Sequence, residues 1–142
     1  RIAKNYEKIG SKYYHFENDE VLNWYEAQDK CISLNGNLIS LKNEGEWNAI
    51  TARLNKQSSY WVDLNDLEKE GEFKSETSGQ AAPFLKWDIA EPNNLAFSIN
   101  NENCVELRAQ YNHYMNDNNC YSKNYYICEA NLNDYPTKES QQ

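Results

Sequence analysis

Length, composition and charge exclude several classes of protein. The chain has 142 residues, a net charge of −8 and an aromatic content of 13%, which fits one folded domain with a sizeable core. Nucleic acids and anionic membranes are bound by clustered Lys and Arg, so this acidic composition disfavours both partners. No stretch approaches the roughly 18 apolar residues of a membrane span. We expect a single domain over 1–142, with a core of about 12–129, a polar tail at 131–142, and a cation as the natural partner.

The chain has four cysteines, Cys31, Cys104, Cys120 and Cys128, and two histidines. An even number of cysteines in a small acidic chain favours disulfides, and therefore an oxidising, extracellular compartment. A zinc site is the alternative, but zinc requires closely spaced ligands, and even Cys120 and Cys128 have seven residues between them. Four cysteines allow three pairings, and at this point the sequence leaves all three open.

The first predicted elements are a strand and a capped helix. The aromatic run at 12–16 predicts the strand. Asn23 followed by Glu26 has the pattern of a capping box, which predicts that a helix begins there and continues to an end at Gly36. Apolar residues recur at helical spacing in this segment: Trp24, Ala27, Cys31 and Leu34.

A second helix follows with the same pattern. Asn43 precedes Glu46 by three residues, and Trp47, Ile50 and Leu54 form an apolar face. We interpret the tryptophan on each helix as a core residue rather than a binding group.

The rest of the chain alternates strands with polar stretches. Apolar and aromatic runs predict strands at 60–64, 104–108 and 125–129, and 111–115 is expected to return as the antiparallel partner of 104–108. From 65–103 the chain is mostly polar and is interrupted by Gly and Pro, which indicates a long functional loop. A strand, two helices and then loops among strands make an α+β layout.

Five oxygen-bearing side chains surround two of the cysteines. They are Glu91, Asn93, Glu102, Asn116 and Asp117. Calcium takes about six to eight oxygen ligands, often carboxylates mixed with amides, so this set predicts a calcium site built on loops. The alternative is that these residues only form solvated turns, where Asp, Asn and Glu are common.

Several motifs together resemble the C-type lectin domain family over about 12–129. Trp61-Val62-Asp63-Leu64 stands at the family's W-I-G-L-type strand, with Asp63 in place of the usual glycine. Glu91-Pro92-Asn93 resembles the sugar-site motif, and Met115-Asn116-Asp117 resembles the W-N-D motif with Met for Trp. The spacing of the last two cysteines also fits.

The resemblance implies a fold and a site. The fold is C-type lectin-like, with two helices, small antiparallel sheets, a long loop region and two disulfides, Cys31–Cys128 and Cys104–Cys120. The resemblance also implies calcium as cofactor and one residue set that binds both the ion and a sugar's vicinal hydroxyl pair. That set is Glu91, Asn93, Glu102, Asn116 and Asp117. The Glu-Pro-Asn order is that of members specific for mannose, fucose or N-acetylglucosamine.

A second calcium site is implied by the same resemblance. It maps onto Asp66, Glu70, Asn94, Glu102 and Asn103. Asn94 and Asn103 stand where stronger binders carry Asp, and fewer ligand charges mean weaker binding, so we expect this site to be weak. The alternative is that Asp66 and Glu70 simply belong to a solvated loop.

Two segments beside the predicted site are candidates for wider contacts. The stretch 94–101 is longer than in compact members, and we expect its apolar side chains, including Phe97, to pack inward. The stretch 111–114 is a similar candidate for contact with a second sugar, with His113 expected at the surface.

Three functions are open at this point. The leading hypothesis is a secreted, calcium-dependent lectin for mannose- or fucose-type glycans and glycoproteins. The second is a lectin-like domain that binds a protein partner without sugar, since fold does not fix function. An enzyme is poorly supported, because the carboxylates would have to serve as both calcium ligands and proton donors, and no HExxH, GxSxG or P-loop motif is present.

Overall fold

The computed structural model describes residues 5–89, 91 and 102–131. Its helices are α1, Trp24–Ser33, and α2, Glu44–Thr51. Its strands are β1 Glu7–Ile9, β2 Lys12–Leu22, β3 Gly36–Leu38, β4 Tyr60–Asn65, β5 Lys74–Ser75, β6 Glu102–Leu107, β7 Met115–Asn119 and β8 Asn124–Ala130. The α+β prediction is confirmed. Within these ranges, neither helix has the length and apolar character that crossing a membrane requires.

The eight strands named above join in one mixed sheet rather than in separate small antiparallel sheets. The order is β1-β2-β8-β4-β6-β7, with β3 on β8 and β5 on β4. β8 runs parallel to β4, with Tyr60 opposite Tyr125 and Trp61 opposite Tyr126, and antiparallel to β2. The last strand of the chain therefore lies between two early strands and joins the two parts of the sheet.

α1 begins where the capping box predicts. The Asn23 side chain accepts from the Glu26 N–H at 2.9 Å, and the Glu26 carboxylate accepts from the Asn23 N–H at 3.0 Å, which satisfies two donors at the helix terminus. The predicted end at Gly36 is wrong, because Asn35 has the left-handed conformation, φ 63°, and Gly36 belongs to β3. Gly36 serves close packing instead, since a Cβ there would overlap the Tyr6 hydroxyl.

The hairpin of β6 and β7 also differs from the prediction. Leu107 lies opposite Met115 and Val105 opposite Asp117, so the returning strand is Met115–Asn119 and not 111–115. The aromatic residues of 111–114 resemble a strand in sequence. However, the segment contains two left-handed residues, a conformation outside the strand region. Residues 108–114 are the turn, and Asp117 lies in a strand rather than a loop.

The tryptophans of the two helices lie in the core, as predicted. Trp24 is 3% and Trp47 is 7% exposed. Each indole N–H is satisfied by a backbone carbonyl: Trp24 donates to Val62 at 2.8 Å and Trp47 donates to His113 at 3.1 Å. Buried indoles with paired N–H groups contribute apolar area without the cost of an unmet donor.

Both disulfides implied by the family resemblance are present. Cys31–Cys128 joins α1 to β8 across a sequence separation of 97, and Cys104–Cys120 closes the β6–β7 hairpin across a separation of 16. All four cysteines are used in these bridges, so the zinc alternative is wrong. In the chain-entropy model the bridge that closes the longer loop stabilises the fold more.

Asp63 is a buried carboxylate within β4, at the position where the family has glycine. Its side chain is fully buried. Oδ2 accepts from the Ser75 hydroxyl at 2.5 Å and from the Thr77 N–H at 3.4 Å, whereas Oδ1 has no hydrogen-bond partner within the described ranges. Burial, with a further contribution from the charge of Glu129, raises the pKa of Asp63 to about 7. The carboxylate ties β4 to the chain after β5, and ionising it costs stability.

We expect the two disulfides to contribute unequally to stability. Replacing Cys31 and Cys128 by Ser should lower the free energy of unfolding by about 4.7 kcal/mol, and replacing Cys104 and Cys120 by about 3 kcal/mol. Urea denaturation of both double variants in metal-free buffer measures the two values. An equal or reversed order would contradict the chain-entropy account.

Asp63→Asn should remove a pH-dependent loss of stability. The folded-state pKa lies above the ordinary 3.8, so folding binds this proton, and stability falls as pH rises from about 4 to about 7. The stability of the variant relative to wild type should therefore grow by about 2–4 kcal/mol between pH 4 and pH 8. Urea denaturation across this range measures it. Asp29→Asn, on the exposed side of α1, is the control, and a parallel slope in Asp63→Asn and wild type would refute the assignment.

Candidate functional site

Three carboxylates converge beside the β6–β7 hairpin. Glu91, Glu102 and Asp117 each offer one oxygen, and these oxygens all lie within 4.8 Å of one another. Asp117 is fully buried, whereas the other two are half-buried. Three of the five predicted ligands are therefore brought together by elements that are distant in sequence.

A register shift in β6 aims Glu102 at this cluster. Cys104 lies opposite Asn118, but Glu102 lies opposite Asn119, so one extra residue is accommodated between them. Without it, Glu102 would share the face of Cys104, because side chains alternate along a strand. The shift moves Glu102 to the face of Asp117, which is how bulges commonly re-aim side chains at sites.

Glu91 reaches the cluster along the open edge of the sheet. β7 is the last strand in the sheet order, and residues 86–88 run beside it. Met115 donates to the Lys86 carbonyl at 2.8 Å and accepts from the Asp88 N–H at 2.8 Å. These two hydrogen bonds fix the segment to β7, so that Glu91 lies next to Asp117 further along the edge.

The crowding of carboxylates shifts their protonation. Removal from water, a hydrogen bond with Asp117 and the charges of Asp117 and Glu102 raise the pKa of Glu91 to about 8, although Arg108 acts in the opposite direction. Arg108 Nη1 is 3.8 Å from Glu91 and 3.7 Å from Asp88. One guanidinium shared between two carboxylates leaves the cluster in need of a proton or a further cation.

Asn116 is held on the other face of β7 by Glu106. Its Nδ2 donates to Glu106 Oε2 at 2.6 Å, and Glu106 also accepts from Asn118 at 3.1 Å and Asn124 at 2.9 Å. This bond orients the Asn116 amide with its nitrogen toward Glu106. Its Oδ1 and its second N–H remain for other partners. Asn116 and Asp117 are adjacent in β7, so their side chains lie on opposite faces of the sheet. Because β7 is an edge strand, both side chains can contact a ligand that lies beside the edge.

Three of the residues predicted for the second calcium site, Asp66, Glu70 and Asn103, also meet. With its amide nitrogen toward the carboxylates, Asn103 donates to Asp66 at 3.1 Å and to Glu70 at 3.3 Å. Partial desolvation, with the carboxylates of Asp66 and Asp117, raises the pKa of Glu70 to about 7. Burial is likewise the main cause that raises the pKa of Asp66. The charge of Asp117 helps to raise the pKa of Glu70, Asp66 and Glu91. The two clusters of carboxylates are therefore electrostatically linked.

Several sequence predictions fall outside the described residues. They are Asn93, Asn94, the rest of the stretch 94–101 and the tail after 131. Their expected roles as ligands, inward-packing side chains or a polar tail stay predictions.

Sequence reasoning missed two residues that hold the site and misplaced a third. Glu106 is buried in the otherwise apolar run Cys104–Leu107, and a lone carboxylate in such a run was the available signal. Arg108 carried no signal, since its partners are distant in sequence. His113 is not at the surface: it is 4% exposed and its Nε2 lies 2.9 Å from the Ser58 carbonyl.

Comparison with known proteins identifies the family. Residues 20–130 match the family described as Lectin C-type domain. The chain belongs to this family. It is 37% identical to C-type lectin 37Db of Drosophila melanogaster over 87% of the chain and 81% of that protein. It is also 36% identical to the accessory gland protein Acp29AB of Drosophila simulans over 89% of the chain, but spans only 50% of that protein's length.

Solved structures agree on the fold. The human scavenger receptor C-type lectin carbohydrate-recognition domain superposes with a TM-score of 0.83 at 24% identity, over 92% of this chain and 99% of that one. The cow CD23 carbohydrate-recognition domain, solved in the presence of a GlcNAc2Man3 oligosaccharide, gives 0.78 at 28% identity, over 91% and 95%. A calcium-independent type II antifreeze protein also gives 0.78, at 17% identity, over 91% and 93%. The C-type lectin-like fold with two disulfides is thus confirmed, and the fold alone does not specify the ligand.

Glu106→Gln should weaken calcium binding without unfolding the chain. The new amide has a single acceptor oxygen. Oε1 of Glu106 accepts from both Asn118 and Asn124, whereas Oε2 accepts from Asn116 alone. The amide oxygen should therefore face the first two residues and its nitrogen should face Asn116, which loses its acceptor. Loss of such an outer partner typically costs about 10–100-fold in metal affinity, which a calcium titration by calorimetry measures. Asn124→Ala is the matched control, because it removes a bond to Glu106 without touching Asn116. Equal losses in both variants would show that Glu106 is only structural.

Proposed function

We propose that this chain is a secreted, calcium-dependent carbohydrate-binding domain that recognises mannose-, fucose- or N-acetylglucosamine-type glycans. The observation that carries the proposal is the convergence of Glu91, Glu102 and Asp117 within 4.8 Å. Like charges at this distance repel, and a divalent cation between them turns the repulsion into attraction. A cluster of carboxylates that repel one another when no cation is present is well suited to hold such an ion.

The chemistry of the ligand set favours calcium. The converging groups are carboxylates, and the amides of Asn93 and Asn116 add neutral oxygens, which matches the mixed oxygen ligands of calcium. Zinc prefers nitrogen and sulfur ligands, and the cysteines of this chain are all in disulfides. Magnesium requires near-ideal octahedral geometry and keeps several waters, which a site assembled from three separate segments serves less well.

The residues that would hold the ion also suit sugar hydroxyls. Glu91, Asn93, Glu102, Asn116 and Asp117 would form the calcium site. When bound, calcium offers coordination positions for two neighbouring hydroxyl oxygens of a sugar. Carboxylates then accept the hydroxyl protons, and amide N–H groups donate to the hydroxyl oxygens. The Glu-Pro-Asn order supports mannose-type specificity, because the family resemblance associates that order with it.

The comparisons support this proposal at a coarser level. The related cow domain was solved in the presence of an oligosaccharide, and two relatives are accessory gland proteins, a source consistent with a disulfide-bonded secreted domain. A calcium-independent antifreeze protein has the same fold, so binding of a partner without sugar is the competing hypothesis. Asp117→Asn separates the two hypotheses.

An enzymatic role is not part of the proposal. The carboxylates at the site are assigned to the cation. His15 contacts Glu17 at 2.9 Å and the Asn5 carbonyl at 3.2 Å, and His113 is engaged by a backbone carbonyl. Both histidines thus have structural contacts rather than a nucleophile to activate.

Asp117→Asn should abolish calcium-dependent retention on mannose resin while preserving the fold. The change is nearly isosteric but removes one ligand charge. In wild type, calcium at about a hundredfold excess over its dissociation constant should raise the free energy of unfolding by about 2.7 kcal/mol, and this increment should disappear in the variant. Circular dichroism melting and resin retention, each in calcium and in chelator, measure both effects.

The control for this experiment is Asp29→Asn, which makes the same charge change on the exposed side of α1. This variant should behave as wild type. Identical wild-type melting in calcium and chelator would refute the calcium site. Retention by Asp117→Asn in calcium would remove Asp117 from the sugar site and favour a sugar-independent partner.

A further inference from the structure

An exposed aromatic side chain lies next to the proposed site. Arg108 contacts Glu91 through Nη1 at 3.8 Å, and its guanidinium carbon lies 4.3 Å from the centre of the Tyr111 ring. Tyr111 is 48% exposed, although its ring is in a cation–π contact, and it lies in the hairpin turn between β6 and β7. One side chain therefore connects the carboxylates to an aromatic surface in the 108–114 turn.

The turn that carries Tyr111 is fixed from several sides. Gln110 N–H donates to the Lys56 carbonyl at 3.0 Å, and Arg108 N–H donates to the Tyr114 carbonyl at 3.0 Å. Gln110 and Asn112, on either side of Tyr111, both adopt left-handed backbone, with φ 64° and 55°. Such conformations persist in non-glycine residues only where the surroundings determine them. The ring is thus presented by a preorganised turn, which lowers the entropic cost of using it in binding.

A groove lies between the same turn and α2. It has a volume of about 670 Å³, and its lining includes Lys56 and four amide side chains, Asn48, Gln57, Gln110 and Asn112. Amides both donate and accept, which matches hydroxyl groups, and no carboxylate lines this groove to attract a cation. The volume lies within the usual range of ligand pockets, about 300–1,000 Å³. Chemically, the groove suits a polyhydroxylated ligand.

The two residues that flank Tyr111 line this groove, and the Tyr111 ring packs on Arg108, which contacts Glu91. We propose that Tyr111 stacks on the sugar residue next to the one bound at the calcium site, and that the glycan continues into the amide-lined groove. The inference rests on the proposed function and specifies its ligand, which is an oligosaccharide of two or more sugars rather than a terminal monosaccharide.

Calorimetric titration in calcium with methyl α-mannoside and with the GlcNAc2Man3 oligosaccharide tests this proposal. Tyr111→Ala should lower the oligosaccharide affinity about 2- to 10-fold and leave the monosaccharide affinity unchanged. Tyr111→Phe, which keeps the ring, should match wild type. Asn48→Ala, on the groove face of α2 and away from Arg108, should lower only the oligosaccharide affinity, also about 2- to 10-fold.

The matched control is Tyr121→Ala. Tyr121 is 70% exposed but packs on Tyr25 of α1, and its removal should change neither affinity. If Tyr111→Ala and Tyr121→Ala keep the wild-type ratio of the two affinities, the stacking surface is refuted while the proposed function stands. If wild type binds neither sugar in calcium, the proposed function and this inference both fail.

Discussion

The mutual repulsion of Glu91, Glu102 and Asp117 is the constraint around which the described structure is arranged. Carboxylate oxygens within 4.8 Å would separate if their side chains were carried by mobile loops. Each is instead fixed by backbone: Glu102 by the register shift in β6, Asp117 by the pairing of β7, and Glu91 by a segment hydrogen-bonded to Met115. The three carboxylates are therefore held together by the backbone of the sheet edge.

The scaffold separates global stability from the site. β8 lies between β2 and β4 and carries Cys128, whose bridge to Cys31 spans most of the chain. The hairpin that bears the carboxylates is instead closed by its own bridge, Cys104–Cys120, and by Glu106, which gathers three amides. Because the repulsion between Glu102 and Asp117 acts across one hairpin, a local crosslink opposes it directly, whereas the long crosslink acts mainly on the unfolded chain.

Sequence patterns predicted structure correctly where the interactions join residues that are close in the chain. The capping box at Asn23 and the apolar stripe of α1 predicted the helix start and its buried face. The family resemblance supplied the disulfide pairing, whereas the three converging carboxylates were already among the oxygen-bearing side chains picked out around the cysteines. The 108–114 turn was misread, because its aromatic composition suggests a strand and it has no glycine. Asn112 and His113, residue types that adopt left-handed backbone more often than most, were the available signal. Arg108 could not be assigned from sequence, and Glu106 was marked only by its place in an apolar run, since the roles of both depend on partners that only the sheet brings near.

The fold leaves the choice of ligand to side chains at the edge of β7. A calcium-independent antifreeze protein superposes with the same TM-score as the cow carbohydrate-recognition domain, 0.78, so the backbone cannot carry the specificity. Two sugar hydroxyls on one exposed ion bury little surface and give affinities near millimolar, about −4 kcal/mol. Any finer selection has to come from contacts beyond the ion. In this chain the turn at 108–114 is held by backbone hydrogen bonds, is joined to the carboxylates through Arg108, and presents Tyr111 to solvent. Under the proposed function, its side chains would determine which glycan is held without altering the groups that would hold the cation.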